Sequence, residues 1–247
     1  MKEQESFSLV KTGKLAGKEK TIAISQSNYI PWKGYFDMIH MVDEFVFYDD
    51  VQYTKRDWRN RNLIKTPHGL LWLTIPVLTK NKFDQAINEV KVNGSEWKKK
   101  HLKSILINYR KAAGFKEMQD FIVDWYERVN SQFLCEINYF FTKKICDFLG
   151  IDTTFRYSFD FKTGGDRTEK VVDLCQQLNA THLINGPKAK YHLHEELFRH
   201  LGIKVSYMDY SGYPGYPQLF PPFEHKVSIV DLILNAGNDA KRFMKSF

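Results

Sequence analysis

Two hydrophobic periods run along this chain, and they trade places near residues 95 and 153. Before residue 95, short apolar runs broken by turn residues predict strands over 21–25 and 44–48, then a hairpin from 58–65 through Pro67-His68-Gly69 to 70–77. A helix over 31–42 is expected between the first two strands, with Pro31 suited to its first turn, so the chain opens as a β-α-β unit. From 95 to 149 the apolar positions recur at helical spacing: Leu102, Ile105 and Tyr109, then Phe121, Trp125 and Val129, then Phe133, Ile137, Phe141 and Ile145. That spacing predicts three consecutive helices. Beyond 153 the signals alternate again: a strand at 155–157, a helix over 168–178, a strand at 182–184, a helix over 191–200, a strand at 204–208 and a terminal helical stretch over 227–245. The expected fold is α/β, an open, mostly parallel sheet with an N-terminal β-hairpin extension and a mid-chain helical insertion over 95–150. Residues 1–20 are expected to be a disordered lead-in and 21–247 a single α/β domain.

Composition narrows this little. Of the 247 residues, 43% are hydrophobic, enough for a packed core, and the charged N-terminus has neither a signal-peptide core nor a spanning helix. The chain therefore reads as cytoplasmic, without membrane insertion. Cys135, Cys146 and Cys175 sit in helix-like apolar contexts without metal-ligand spacing, which reads as three buried thiols and no metal site. The net charge of +7 invites an acidic partner, but the lysines and arginines are scattered, and Lys98-Lys99-Lys100 with Lys103 reads as the wet face of a helix. No nucleic-acid module signature is present. The eight histidines include no zinc-helix pattern, and no nucleophile elbow, phosphate-binding P-loop or dinucleotide fingerprint occurs.

Polar and aromatic chemistry concentrates in Gln26–Arg61. The loop Gln26-Ser27-Asn28-Tyr29 lies between a strand end and a helix start, where ligands bind in open α/β sheets, and Trp32 and Tyr35 follow on the helix. Asp49 and Asp50 follow the strand 44–48, so a carboxylate is expected at the same sheet edge, to take a proton from an amine, hold Mg²⁺ or grip a sugar hydroxyl; an exposed turn is the rival reading. Next come Gln52, Lys55, Arg56, Trp58, Arg59, Asn60 and Arg61. On a strand from 58, Arg59 and Arg61 share one face as a two-pronged cationic surface for a diphosphate, or else form structural salt bridges. Asn185, Gly186 and Lys188 end another strand as a second pocket wall. Gly164-Gly165-Asp166-Arg167-Thr168 reads as loop plus helix cap more readily than as a phosphate cradle. The loop Ser211–Pro217, rich in Gly, Tyr and Pro, suits a lid or a packed surface loop.

The blocks QSNYIPWKGYFDMI, DEFVFYDDVQYTKRDWRNRN, THLINGPKAKYHL and VSIVDLILNAG resemble the successive blocks of the WbqC-like protein family across nearly the whole chain from residue 21. The resemblance implies a setting among bacterial O-antigen and other surface-polysaccharide proteins, and an acyl or aminoacyl (glycyl-type) transfer to the amine of a nucleotide-activated amino sugar. On that expectation Asp49, Asp50 and Gln26 are the catalytic candidates. Asn28, Tyr29, Trp32, Tyr35, Gln52, Lys55, Arg56, Trp58, Arg59, Asn60, Arg61, Asn185, Gly186 and Lys188 bind substrate, with Trp58 or Tyr29 stacking on base or sugar. The donor is left open between an acyl carrier protein thioester, acyl-CoA, and ATP with Mg²⁺, and an acidic acyl carrier protein is a candidate partner of the basic surface. Two other readings stand beside this one: an ATP-dependent ligase or nucleotidylyltransferase, and a non-catalytic binding protein of a glycan-assembly complex. The Gly-Tyr-Phe-Asp step is loosely similar to the first motif of nucleotidylyltransferases and pantothenate synthetase, without the two histidines of that motif.

Overall fold

The computed structural model describes residues 19–247, so most of the expected lead-in, residues 1–18, lies outside the described residues. Five parallel strands, β1 (Thr21–Ser25), β2 (Glu44–Phe47), β5 (Thr154–Tyr157), β6 (His182–Asn185) and β7 (Lys204–Tyr207), form one sheet in the spatial order β5-β2-β1-β6-β7. Counting these strands alone along the chain, the order is 3-2-1-4-5, that of a doubly wound sheet. Such a sheet is covered on both faces, and the side chains show it. Ala23, Phe45 and Phe47 point into one core, while the intervening Ile22, Ile24, Val46 and Tyr48 point into the other.

The first core is walled by α1 (Lys33–His40), α4 (Leu134–Leu149) and α7 (Ile229–Ala236), the second by α5 (Arg167–Gln177) and α6 (Glu195–His200). Between β2 and β5 the chain makes the antiparallel hairpin β3 (Arg61–Thr66) and β4 (Gly69–Thr74), then α2 (Glu96–Tyr109), α3 (Phe115–Arg128) and α4. The α/β class, the hairpin and the helical insertion are as the periodicities predict. No helix of the described residues is long and apolar enough to cross a membrane. The three cysteines are free and buried.

Three boundaries differ from expectation. The hairpin begins at Arg61, not Trp58, because Asp57 closes a turn ahead of it, accepting from the Trp58 N–H at 2.7 Å and the Thr54 hydroxyl at 2.9 Å. The helix expected over 191–200 is shortened to α6 after a 3-10 turn at Pro187–Tyr191. The terminal helix stops at Ala236, since Gly237 takes a positive φ of 56° and the chain continues as a 3-10 turn to Phe243. A close approach fixes that break. A Cβ on Gly114, at the α2–α3 corner, would lie 2.5 Å from the Gly237 nitrogen, and the Gly114 N–H donates to Leu234 O at 3.0 Å.

Candidate functional site

A cavity of about 1110 Å³ opens at the carboxyl ends of β1 and β6, the two central strands where the winding direction reverses. Chain connections leave a crevice at such a switch point, the expected place for a ligand in this topology. Ser25 and Gln26 enter it from β1, Asn185, Gly186 and Lys188 from β6, and Trp32, Tyr35 and Met38 from α1. Trp58 and Arg59 close one side, and Tyr210, Tyr213 and Lys226 another.

The β1–α1 loop is held in a strained shape. Ile30 has a φ of 35°, costly for a β-branched residue, and its neighbours are pinned: Tyr29 N–H donates to Trp58 O at 3.0 Å, while the Asn62 amide donates to Tyr29 O at 3.1 Å and Ile30 O at 2.9 Å. The Tyr35 hydroxyl donates to Gln26 O at 3.1 Å. At the same corner the Arg59 guanidinium donates to the Asn28 side-chain oxygen and lies 3.4 Å from the Asp57 carboxylate. Burial alone would raise the Asp57 carboxyl, but Arg59, the Trp58 N–H, the Thr54 hydroxyl and Lys188 together hold it below the usual carboxylate range. Lys188 acts on it from the β6 side. The charge balance of the lining is one-sided: Arg59, Arg167, Lys188 and Lys226 face the single carboxylate of Asp57.

The lining therefore includes nine of the seventeen residues singled out in the sequence: Gln26, Asn28, Trp32, Tyr35, Trp58, Arg59, Asn185, Gly186 and Lys188. The other eight lie elsewhere. Asp49 is wholly buried, its carboxylate accepting from Ser27 N–H at 2.8 Å, and burial raises its carboxyl to about 6 against the opposing pull of Ser27 and Arg59. Asp50 accepts from the Ser158 hydroxyl. The geometry thus gives both aspartates anchoring contacts outside the cavity. Tyr29 turns into the helical insertion, with its hydroxyl 2.9 Å from His101 Nδ1 and 2.5 Å from the Tyr126 hydroxyl. Asn60 donates to Ile75 O, and Gln52 to Phe83 O. Lys55 and Arg56 are exposed on the turn before Asp57. Arg61 points away from Arg59: its guanidinium lies 4.1 Å from the centre of the Trp72 ring and donates to Arg56 O. The expected two-pronged surface does not form, because the turn at 55–60 breaks the strand register that would have set both arginines on one face.

Asp166 caps α5, accepting from Thr168 N at 2.7 Å and Glu169 N at 2.9 Å, which occupies the glycine-rich segment as loop and cap. Of the Ser211–Pro217 loop, Ser211, Gly212 and Tyr213 line the cavity. Lys33, its amine lowered to about 8 chiefly by burial, donates to Pro214 O and Phe243 O at 2.8 Å each and fixes that wall. Arg167, from the segment read as loop and cap, also lines the cavity, as do Asp57, His192, Tyr210, His225 and Lys226, which the sequence reading does not single out. Each lies on a turn or helix start reached only through the strand order. Among the described residues, no three His, Cys, Asp or Glu side chains come together as a metal-binding group.

The model of the WbqC-like protein family matches residues 26–243, which takes in every element bearing on the cavity except β1. The chain belongs to the WbqC-like protein family. Within the curated proteins it is 45% identical over 226 residues to the uncharacterized protein Rv1507c of Mycobacterium tuberculosis, covering 92% of this chain and 98% of that protein. No solved structure matches this WbqC-like chain.

Proposed function

We propose that this WbqC-like protein is an acyl or aminoacyl transferase acting on the amine of a nucleotide-activated amino sugar, in the making of a bacterial surface polysaccharide. The observation that carries the reading is the lining of the switch-point cavity, four cationic side chains against one carboxylate between aromatic walls. A diphosphate offers that lining the negative charge it lacks, and about 1110 Å³ is ample for a sugar nucleotide beside the end of an acyl donor.

In this reading Arg59, Lys188 and Arg167 hold the diphosphate, while Gln26 and Asn28 offer side-chain amides to sugar hydroxyls. The sugar amine attacks the acyl carbonyl carbon. A C–N bond forms, the bond from that carbon to the donor's sulfur or oxygen breaks with its electron pair leaving on that atom, and the nitrogen gives up a proton. Asp57 is the carboxylate within the lining and takes that proton. Its lowered affinity for protons is no obstacle, because an amine nitrogen already bonded to the carbonyl carbon is far more acidic than the free amine. Asp49 acts behind the site, through the Ser27 N–H. The donor is a carrier-protein thioester, acyl-CoA, or an aminoacyl adenylate made from ATP with Mg²⁺.

Incubating the protein with a dTDP-linked 4-amino sugar, glycine, ATP, Mg²⁺ and a carrier-protein fraction, and weighing the sugar nucleotide by mass spectrometry, tests this. A mass gain of one acyl or glycyl group is expected, and leaving out components in turn names the donor. A sugar nucleotide that neither gains mass nor binds with any donor supplied defeats the reading.

A further inference from the structure

At the cavity mouth two tryptophans, Trp58 on the turn before the hairpin and Trp72 on β4, are left uncovered by the fold. Trp58 is 41% exposed and Trp72 40%, and their rings touch with centroids 5.3 Å apart at a tilt of 43°. Apolar surface of this size is ordinarily buried, and two adjoining indoles left in water mark a place where something docks. The order of groups is directional. The Arg61 guanidinium sits 4.1 Å from the centre of the Trp72 ring, Trp72 lies against Trp58, and Trp58 itself lines the cavity beside Arg59 and Asp57. A ladder of cation, indole and indole thus ends at the cavity mouth, with Trp58 as its open rung.

Each rung has a structural reason. The cross-strand register sets Leu63 opposite Trp72 and Arg61 opposite Thr74, so Arg61 and Trp72 are diagonal neighbours on one face of the hairpin. The Asp57 carboxylate accepts the Trp58 N–H and orients that residue at the turn. Trp58 shares the cavity lining with the cations Arg59 and Lys188.

We propose that Trp58, backed by Trp72 and Arg61, is a nucleobase-stacking subsite, which receives the base of a nucleotide whose phosphates lie on Arg59 and Lys188. Planar aromatic rings at a rim beside cations match a ligand that joins a π-face to a diphosphate, and a flat base stacks on indole whatever its sequence of ring substituents. The inference rests on the proposed sugar-nucleotide reading and deepens it by making the hairpin part of the substrate site. It also gives Arg61 a role other than gripping phosphate. The base belongs either to the sugar nucleotide or to a nucleotide-borne acyl donor, and the chemistry of stacking is common to both.

Intrinsic tryptophan fluorescence of the full chain, titrated with UDP-glucose, with coenzyme A and with inorganic pyrophosphate, separates these cases. At least one nucleotide is expected to quench the emission as it binds, while pyrophosphate, which has no base, does not. Quenching by UDP-glucose assigns the subsite to the sugar nucleotide, and quenching by coenzyme A assigns it to the donor. Trp58→Leu should abolish the quench and weaken that nucleotide roughly five-fold or more, whereas Trp58→Tyr restores most of the affinity. Trp72→Leu, checked for an unchanged unfolding temperature, should weaken binding by a smaller factor. Equal nucleotide affinity in wild type and Trp58→Leu would overturn the subsite and leave the cavity reading standing. Failure of all three ligands to bind would overturn both.

Discussion

The side chain of Asn138, fully buried on α4, donates to the main-chain oxygen of Arg59 across 2.9 Å. The same amide reaches the Ser27 hydroxyl at 3.0 Å. One residue of the helical insertion therefore ties the β1–α1 loop to the segment that carries the cavity's most enclosed cation. Replacing it by Leu, similar in size, leaves two buried acceptors without a donor, at a cost of about 2–4 kcal/mol. For a chain of this length that is a fall in unfolding temperature of roughly 5–15 °C. Calorimetry of Asn138→Leu measures it, and an unfolding temperature within a degree or two of wild type would show that the tie carries no weight.

Asp49 gives a pH signature. Its carboxyl is raised from 3.8 to about 6, burial being the largest cause, so the folded state holds a proton that the unfolded chain has lost. The sign follows: stability falls as pH rises from about 4 to about 6, by on the order of 3 kcal/mol, and is level above that. Asp49→Asn keeps an oxygen for the Ser27 N–H and removes the titration. The variant should gain on wild type through that window, and unfolding curves taken at intervals from pH 4 to 8 would show it; a constant difference would contradict the burial argument.

His101 works in the opposite direction. Burial lowers its imidazole from 6.5 to about 4, although the carbonyl of Thr74, 3.2 Å from Nε2, pulls it back upward. With Nε2–H donating to that carbonyl, Nδ1 accepts the Tyr29 hydroxyl, which leaves the Tyr29 oxygen to accept from Tyr126. A neutral ring is therefore built in. Its contribution is complete above pH 6.5 and is lost as pH falls toward 4, on the order of 3 kcal/mol. His101→Asn should be less stable than wild type at pH 7.5, and the gap should narrow by pH 4.5. Because this trend and that of Asp49 oppose each other, wild-type data alone hide both.

How far the sequence disclosed the site depended on the range of the contacts involved. Strand ends and turn residues are local, and Gln26, Asn28, Asn185 and Lys188 are legible because they stand at or just past the carboxyl ends of apolar runs. Tyr29 stands in the same loop, yet its ring packs on Trp97, His101 and Phe141 from the insertion, and no local pattern separates a loop tyrosine that faces the pocket from one that faces a distant helix. Asn138 shows the converse, since a polar residue within a helical period reads as a solvent position until α4 is known to pack against Ser27 and Arg59. Arg59 and Arg61 part for a third reason: one turn, at Asp57, shifts the register by which side chains alternate. Gly237 lies inside the stretch whose apolar spacing predicts one terminal helix over 227–245, and its positive φ, which a glycine there permits, ends the helix at Ala236.

Arg59 offers the most direct probe of the cavity's charge. Its guanidinium meets both Asn28 and Asp57, so its direction is fixed by two partners on either side, and its side chain is only 13% exposed. Arg59→Lys keeps the charge but not the planar fork, and cannot hold the Asn28 oxygen and a phosphate at once. A diphosphate should then bind about ten-fold more weakly, about 1.4 kcal/mol, with Arg59→Gln weaker still and its affinity less sensitive to added salt. Lys188→Gln, at the exposed rim across the cavity, should lose less than Arg59→Lys, because a solvated charge contributes less than a partly enclosed one. Calorimetric titration of UDP into the three variants ranks them. If Lys188→Gln proves the most damaging, the phosphates rest on the β6 side of the cavity and Arg59 serves instead to hold Asn28 and Asp57 in place.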